Sequence, residues 1–293
     1  MAMVQAVTPL AWRRGLGSRL RGAGEASLLI PFAVLLGLIL VPPFVFVVLT
    51  SFGEHGWSLS SYKDVLTQPL FQRVLRNTIE IGFFSAVISV TMGYFVALHL
   101  SRCSPRRRAV YITMVMLPFW TSILVKSFAF TVILGTNGII NNAIAAMLGD
   151  GYKLPMLFNR VGVYIGLSHW LLPFAVFPIL SALRAQDPNL PIAAEVMGAS
   201  RLRIFWSIVF PQTIPAVIAG AIMVGVIAMG SFVTPSLLGG RGDLMMANMV
   251  DFYIREALDW PMASAIAVTL LMFAGLVVVL QKLIGGLYRM ARG

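Results

Sequence analysis

The feature that most constrains this chain is a series of long stretches without a single charged residue. Ala26 to Gly53 carries none, nor does Ile81 to Ser101. Ala109 to Leu134 is interrupted only by Lys126, Val161 to Leu183 and Pro261 to Gln281 are clean, and Ile204 to Gly240 is one continuous run. About 20 apolar residues in helical form cross the roughly 30 Å of bilayer hydrocarbon, and only helices or closed barrels satisfy their backbone polar groups there. The pattern predicts an all-α polytopic membrane protein with six transmembrane helices near 27–51, 78–101, 109–134, 161–183, 213–237 and 262–287. The composition agrees: 11% of the 293 residues are charged, against about 25% in soluble domains. That excludes a water-soluble globular enzyme, and the hydrophobicity excludes a disordered chain. The first run follows a 25-residue tail that carries four arginines and far exceeds the 7–15 apolar residues of a cleavable signal, so it is expected to remain as a span.

The net charge of +11 acquires meaning once it is sorted by loop. With six spans, one face collects Arg13, Arg14, Arg19, Arg21, Arg102, Arg106, Arg107, Arg108, Arg184, Arg201, Arg203, Lys282, Arg289 and Arg292, against Glu25, Asp187 and Glu195. The other face is balanced, seven of each sign: Lys63, Arg73, Arg76, Lys153, Arg160, Arg241 and Arg255 against Glu54, Asp64, Asp150, Asp243, Asp251, Glu256 and Asp259. By the positive-inside rule the basic face is cytoplasmic and both termini lie there. Topology and attraction to anionic membrane lipid account for the basic patches, and no nucleic-acid partner is expected. The lone Cys103, beside Arg102, can form no intrachain disulfide and is expected to be reduced.

Several chemistries are missing. A Walker A motif needs Gly-Lys, but the four lysines follow Tyr62, Val125, Tyr152 and Gln281. His55, His99 and His169 are scattered and there is no H-E-x-x-H, so no metal site is expected. The closest approach to a serine-hydrolase elbow, Gly166-Leu167-Ser168-His169-Trp170, has Trp in place of the second glycine. Neither catalytic residues nor a cofactor are assigned to this chain.

The informative loop is 185–211, between the fourth and fifth spans. Asp187 is a good N-cap with Pro188 at the first helical position. Gly198 suits the end of that helix, and Ser200 caps a second helix running toward Pro211. A short helix, a glycine corner and a second helix make a compact knob; an ordinary loop with an interfacial helix also fits these signals.

Here the sequence resembles the permease subunits of type I ABC importers. Their coupling loop reads E-A-A, three residues, G, nine residues, I-x-L-P; in this chain Ala193-Ala194 stand at the right distance before Gly198, and Ile208 and Phe210-Pro211 close the pattern. The family's Glu is replaced by Ile192, with Glu195 three residues on. The resemblance covers about 77–285 and is strongest to the spermidine/putrescine branch, through Leu117-Pro118-Phe119-Trp120-Thr121-Ser122, Leu134-Gly135-Thr136-Asn137-Gly138, Ser231-Phe232-Val233-Thr234-Pro235 and Asp259-Trp260-Pro261. Lys126 stands where that branch usually has Arg.

The resemblance implies a permease core at 74–287, preceded by a basic tail (1–25) and a first helix with its outer loop (26–73), and followed by a short tail (288–293). It implies a multi-pass protein of the bacterial inner membrane that imports a small organic solute. That solute is a polyamine such as spermidine or putrescine, or else an opine, an amino-acid derivative or iron. The implied partners are a second permease subunit, identical or a paralogue, an extracytoplasmic binding protein, and a dimer of ATP-binding subunits that hold ATP and Mg and dock on Ala193, Ala194, Glu195, Gly198, Ala199, Ser200, Arg201 and Pro211. An ATP-independent secondary transporter is the reading from another class, and the coupling loop separates the two.

Polar breaks in membrane helices mark solute paths. Gly230, Ser231, Thr234 and Pro235 cluster in the fifth span, and Pro235 is expected to free a carbonyl near Ser231. Ser231, Phe232 and Thr234, with Trp120, Ser122 and Lys126 of the third span, form the expected substrate path, although a packed kink would fit the same residues. Lys126 lies roughly 12 Å below the outer helix end. A cation at that depth is a functional candidate by default: it could pair with an acid such as Glu80, gate the path, repel misplaced cations, contact an anionic solute, or snorkel. The outer Asp243, Asp251, Glu256 and Asp259 could attract a cation, dock the binding protein or simply be solvated. Gly162 and Gly166 form a G-x-x-x-G close-packing cue.

Overall fold

The computed structural model describes residues 13–53 and 57–290. Residues 1–12 of the basic tail, Glu54, and 291–293 of the closing tail lie outside the described residues.

The described residues contain helices and no strand. Six helical segments are long and apolar enough to cross a membrane: Ile30–Thr50, Pro69–Arg102, Ile123–Leu148, Arg160–Arg184, Arg201–Met229 and Trp260–Leu280. The chain divides into two units at Thr50. The first holds a single helix, α1 (Arg13–Thr50), which begins well before the expected residue 27. Its described side chains, from Ile30 on, are nearly all exposed within the unit, as for a helix meant for lipid or another chain.

The second unit begins with α2 (Ser60–Thr67) and the long α3 (Pro69–Arg102), then α4 (Pro105–Trp120), α5 (Ile123–Leu134), α6 (Ile139–Leu148) and α7 (Arg160–Arg184). The knob helices α8 (Asn189–Val196) and α9 (Arg201–Ile204) lead through a π turn into α10 (Phe210–Met229). The short α11 (Val233–Leu238), α12 (Met246–Arg255) and α13 (Trp260–Met290) follow.

The centre is the mutual packing of α3, α7 and α10. Ile81, Leu167, Leu171, Val224 and Ala228 are all fully buried there. Small residues set the approach: a Cβ on Gly93 would lie 2.9 Å from the Ala175 methyl, and one on Gly82 would lie 2.6 Å from Met229 Cγ. Apolar burial gives no advantage over lipid in a bilayer, so close van der Waals contact of this kind carries helix association. The Gly162–Gly166 cue serves the same purpose toward α11, since a Cβ on Gly166 would meet Thr234 Cγ2 at 2.7 Å. A second cluster, Val65, Phe71, Met246, Met249, Met262 and Ile266, ties α2, α3, α12 and α13 together.

Two expected helices change. The third, 109–134, is broken at Thr121–Ser122, both extended with ψ near 146° and 135°. Its halves still follow one another along α7, with Phe119 against Phe174 and Phe130 against His169. The apolar length then continues past a turn into α6, so 123–148 becomes the third candidate crossing. The fifth, 213–237, begins at Arg201 and breaks at Gly230–Phe232. Pro235 does not cause that break by removing an interior bond, as expected. It sits in the first turn of α11, where a backbone N–H has no intrahelical partner to lose.

Candidate functional site

The knob is built by backbone geometry. α8 starts at Asn189, one residue later than the capping signals suggested, yet the Asp187 carboxylate still accepts from the Asn189 N–H at 2.9 Å. At the other end Gly198 has φ +83°, and its N–H donates to Glu195 O while the Ala199 N–H donates to Ala194 O. This paired pattern closes the helix as a Schellman motif, which needs a left-handed residue at the Gly198 position. Ser200 then caps α9 by accepting from the Arg203 N–H. Ala193, Glu195, Ser200 and Arg201 are exposed, and Ala194, Ala199 and Pro211 half-buried. Val196, Met197 and Leu202 are 84%, 87% and 69% exposed, a cluster of large apolar side chains with nothing of this chain over them.

Behind the knob, Phe205–Val209 is a π turn in which the Phe210 N–H reaches back five residues to Phe205 O. Pro211 is the local cause: it has no N–H to return to Ser207 O, so the ladder slips by one residue. Gln186 Nε2 donates to Val209 O at 2.9 Å, clipping the end of α7 to this turn. Phe205 and Phe210 each meet the Tyr94 ring edge to face, and the Tyr94 hydroxyl meets Thr213 Oγ1 at 3.2 Å.

Beyond the two helix breaks, α5 and α11 come together. Ser127 of α5 faces Thr234 of α11, with 3.5 Å between hydroxyl oxygens. Ser231 donates to Ile227 O, and the Phe232 carbonyl accepts from the Ser236 N–H and from Asn248 Nδ2. Of the six residues expected to line a path, Trp120 and Ser122 are exposed, Lys126 and Phe232 half-buried, and Ser231 and Thr234 buried within the chain.

Lys126 does not pair with Glu80. Its ammonium donates to Pro118 O at 2.6 Å and lies 5.8 Å from the centre of the Trp170 ring. Pro118 O is among the last carbonyls of α4, which have no intrahelical partner, and Thr121 Oγ1 donates to it as well. The side chain from the first turn of α5 therefore closes the end of α4, where the helix dipole favours a cation.

Glu80 belongs to a network at the end of α7 that begins with Arg160. Arg160 Nη1 meets Glu80 Oε2 at 2.6 Å, Nε meets Asp243 Oδ1 at 2.9 Å, and Nη2 donates to Asn77 Oδ1 at 2.7 Å. Arg76 takes the other Glu80 oxygen, Asn77 Nδ2 donates to Gly242 O, and Asp243 Oδ2 accepts from the Gly240 N–H. Asp243 is thus committed to structure rather than being a solvated loop acid. The network pins the 239–245 loop across the start of α3 and α7.

Residues 89–288 match the family described as binding-protein-dependent transport system inner membrane component. This chain belongs to that family. It is 29% identical over 271 residues to the spermidine/putrescine transport system permease protein PotB of Haemophilus influenzae, covering 90% of this chain and 93% of that one. It is 30% identical over 226 residues to its namesake in Escherichia coli K12, covering 77% and 82%. Among solved structures, a chain of a bacterial ABC transporter for alginate import superposes with a TM-score of 0.76 at 18% identity, over 92% of this chain and 98% of that one. The fold is that of an ABC importer permease, and the protein is a multi-pass inner-membrane subunit rather than an enzyme.

Within the permease, sequence reading did not find Asn77, Asn248, Gln186 or Trp170. Asn77 Nδ2 and Asn248 Nδ2 each bond a backbone carbonyl of a different helix or loop, and no local pattern marks such a partner. A signal existed for Arg160: it stands alone before a long apolar run, where an Arg is expected to find carboxylates.

Proposed function

We propose that this permease forms half of the membrane pore of a polyamine importer, carrying a solute such as spermidine or putrescine delivered by an extracytoplasmic binding protein. The knob face is cytoplasmic, with both termini on that side, a topology supported by the one-sided surplus of arginine. A dimer of ATP-binding subunits, holding ATP and Mg, docks on the α8–α9 knob. A second permease subunit, a paralogue of this one, completes the pore.

The observation that carries the reading is the knob: a Schellman-closed helix presenting exposed Val196, Met197 and Leu202, joined through α9 and the π turn to a crossing helix. Exposed apolar clusters of this kind mark protein contacts, and a secondary transporter has no use for one. The polyamine assignment is supported by the resemblance along most of the chain to permeases bearing that name. Trp120, Ser122, Lys126 and Phe232 form the open wall of the path, with Ser231 and Thr234 immediately behind it. Closure of the ATPases moves the knob, and the motion passes through α10 to the break at Gly230–Phe232, a coupling between two bistable elements.

The test is to purify the tagged permease with its co-expressed neighbours and measure ATP-dependent uptake of labelled putrescine into proteoliposomes. Co-purification of an ATPase and a second permease, with uptake that needs the binding protein, is expected. Uptake that proceeds without any ATPase overturns the reading.

A further inference from the structure

A cation inside the path of a cation importer calls for an explanation, and the surroundings of Lys126 supply one. Three features converge at the break between α4 and α5. The Pro118 carbonyl sits at the C-terminal end of a half-helix and points at the ammonium, 2.6 Å away. The Trp170 indole faces the same nitrogen at 5.8 Å, within the range of a cation–π contact. Phe119 and Phe174, edge to face with each other, extend the aromatic wall, and Phe174 is also edge to face with Trp170. The Trp170 Nε1 is buried and without a hydrogen-bond partner, so a polar group remains unsatisfied beside this wall. A helix-end carbonyl and an indole face are what a primary alkylammonium requires. Among the described residues no carboxylate is paired with Lys126: Glu80 and Asp243 are engaged with Arg160.

We infer that the break between α4 and α5 is a binding site for a primary alkylammonium, and that Lys126 is its tethered internal ligand. The side chain of lysine is itself a butylammonium, with the same chain length between carbon and nitrogen as putrescine has between its two nitrogens. A substrate ammonium entering the path exchanges with Lys126 at Pro118 O and the Trp170 face. The displaced lysine ammonium then repels the substrate and hastens its release. The site thereby holds the substrate class without holding it tightly, as a transport path requires. The inference rests on the polyamine reading above and deepens it.

The experiment uses the whole transporter in lipid nanodiscs, with binding protein and ATP omitted. The probe is putrescine, with 1,4-butanediol as its uncharged counterpart. Lys126→Met, which keeps length and removes charge, is expected to bind putrescine about tenfold more tightly than wild type, through loss of a competitor held by a cation–π contact and a charge-assisted hydrogen bond. Adding Trp170→Leu is expected to abolish the gain, and butanediol should not compete. Lys126→Gln carries the same expectation should the methionine variant fail to assemble. No gain in an assembled complex, or equal competition by butanediol, overturns the inference. Uptake by wild type with its binding protein is measured alongside. If wild type imports putrescine and the variants gain no site, this inference alone fails. If wild type imports none, the substrate reading fails.

Discussion

The two ends of α7 are held in opposite ways. At the Arg160 end, four side chains from α3, α7 and the 239–245 loop satisfy one another across 80 and more residues of sequence. At the knob end, the shape comes from main-chain bonds spanning three to five residues around a left-handed Gly198, with the side chains turned outward. One end is a clamp made by distant partners, and its residues are occupied. The other is a local shape whose residues are free to meet another protein. Distant side-chain partners fix a frame, whereas local main-chain bonds fix a shape and leave its side chains outward.

This contrast can be broken most directly at Arg160. Arg160→Met leaves Glu80 and Asp243 facing each other without their shared cation. The partial exposure of the pair, 33% and 29% for Arg160 and Glu80, and the Arg76 partner that Glu80 keeps make the loss smaller than that of a fully buried pair. Thermal unfolding of the purified complex should show it, together with new protease cleavage in the 239–245 loop. An unchanged melting curve would mean the clamp is ornamental.

Gly198→Val tests the opposite end. A Cβ there meets nothing within 4 Å, so the cost is the left-handed backbone alone, about 1–2 kcal/mol, confined to the knob. Substrate-stimulated ATPase activity should fall while global unfolding hardly moves. A fall in both would make the knob part of the frame.

Asn248→Leu removes donors to Phe232 O and Ser236 Oγ at the fifth-span break, for about 1 kcal/mol. Uptake should suffer more than stability, as measured on the same preparation. The smallest expected effect on stability is that of Pro211→Ala. It returns an N–H to the ladder at Ser207 O and so favours α over π geometry. Stability should change by under about 1 kcal/mol, yet the knob turns relative to α10. Coupling measured as ATP hydrolysed per putrescine imported should worsen; unchanged coupling would show that the π turn is not needed to aim the knob.

How much of this could be read beforehand differs between the regions for the same reason. The knob was legible almost residue by residue, because caps and glycine corners act over four or five positions; only the start of α8 moved, by one. The spans were legible because solvent dictates their composition, although the breaks at Thr121–Ser122 and Gly230–Phe232 were not both foreseen. A hydroxyl pair in an apolar run reads as continuous helix until its neighbours are known. In the sequence Glu80 and Lys126 are the charges nearest the membrane and look like partners; in the fold each has a nearer one.

The sequence by itself determined that the chain crosses the membrane, how many crossings it makes, which face collects arginine, and the local shape of the knob. These follow from transfer of side chains between water and lipid and from local backbone geometry. Only the tertiary structure decided which carbonyl Lys126 serves, that Arg160 is spent on Glu80 and Asp243, and that the segments beyond two helix breaks meet through Ser127 and Thr234. Each depends on directional contacts between residues that share no sequence period, and such contacts exist only once the helices have packed.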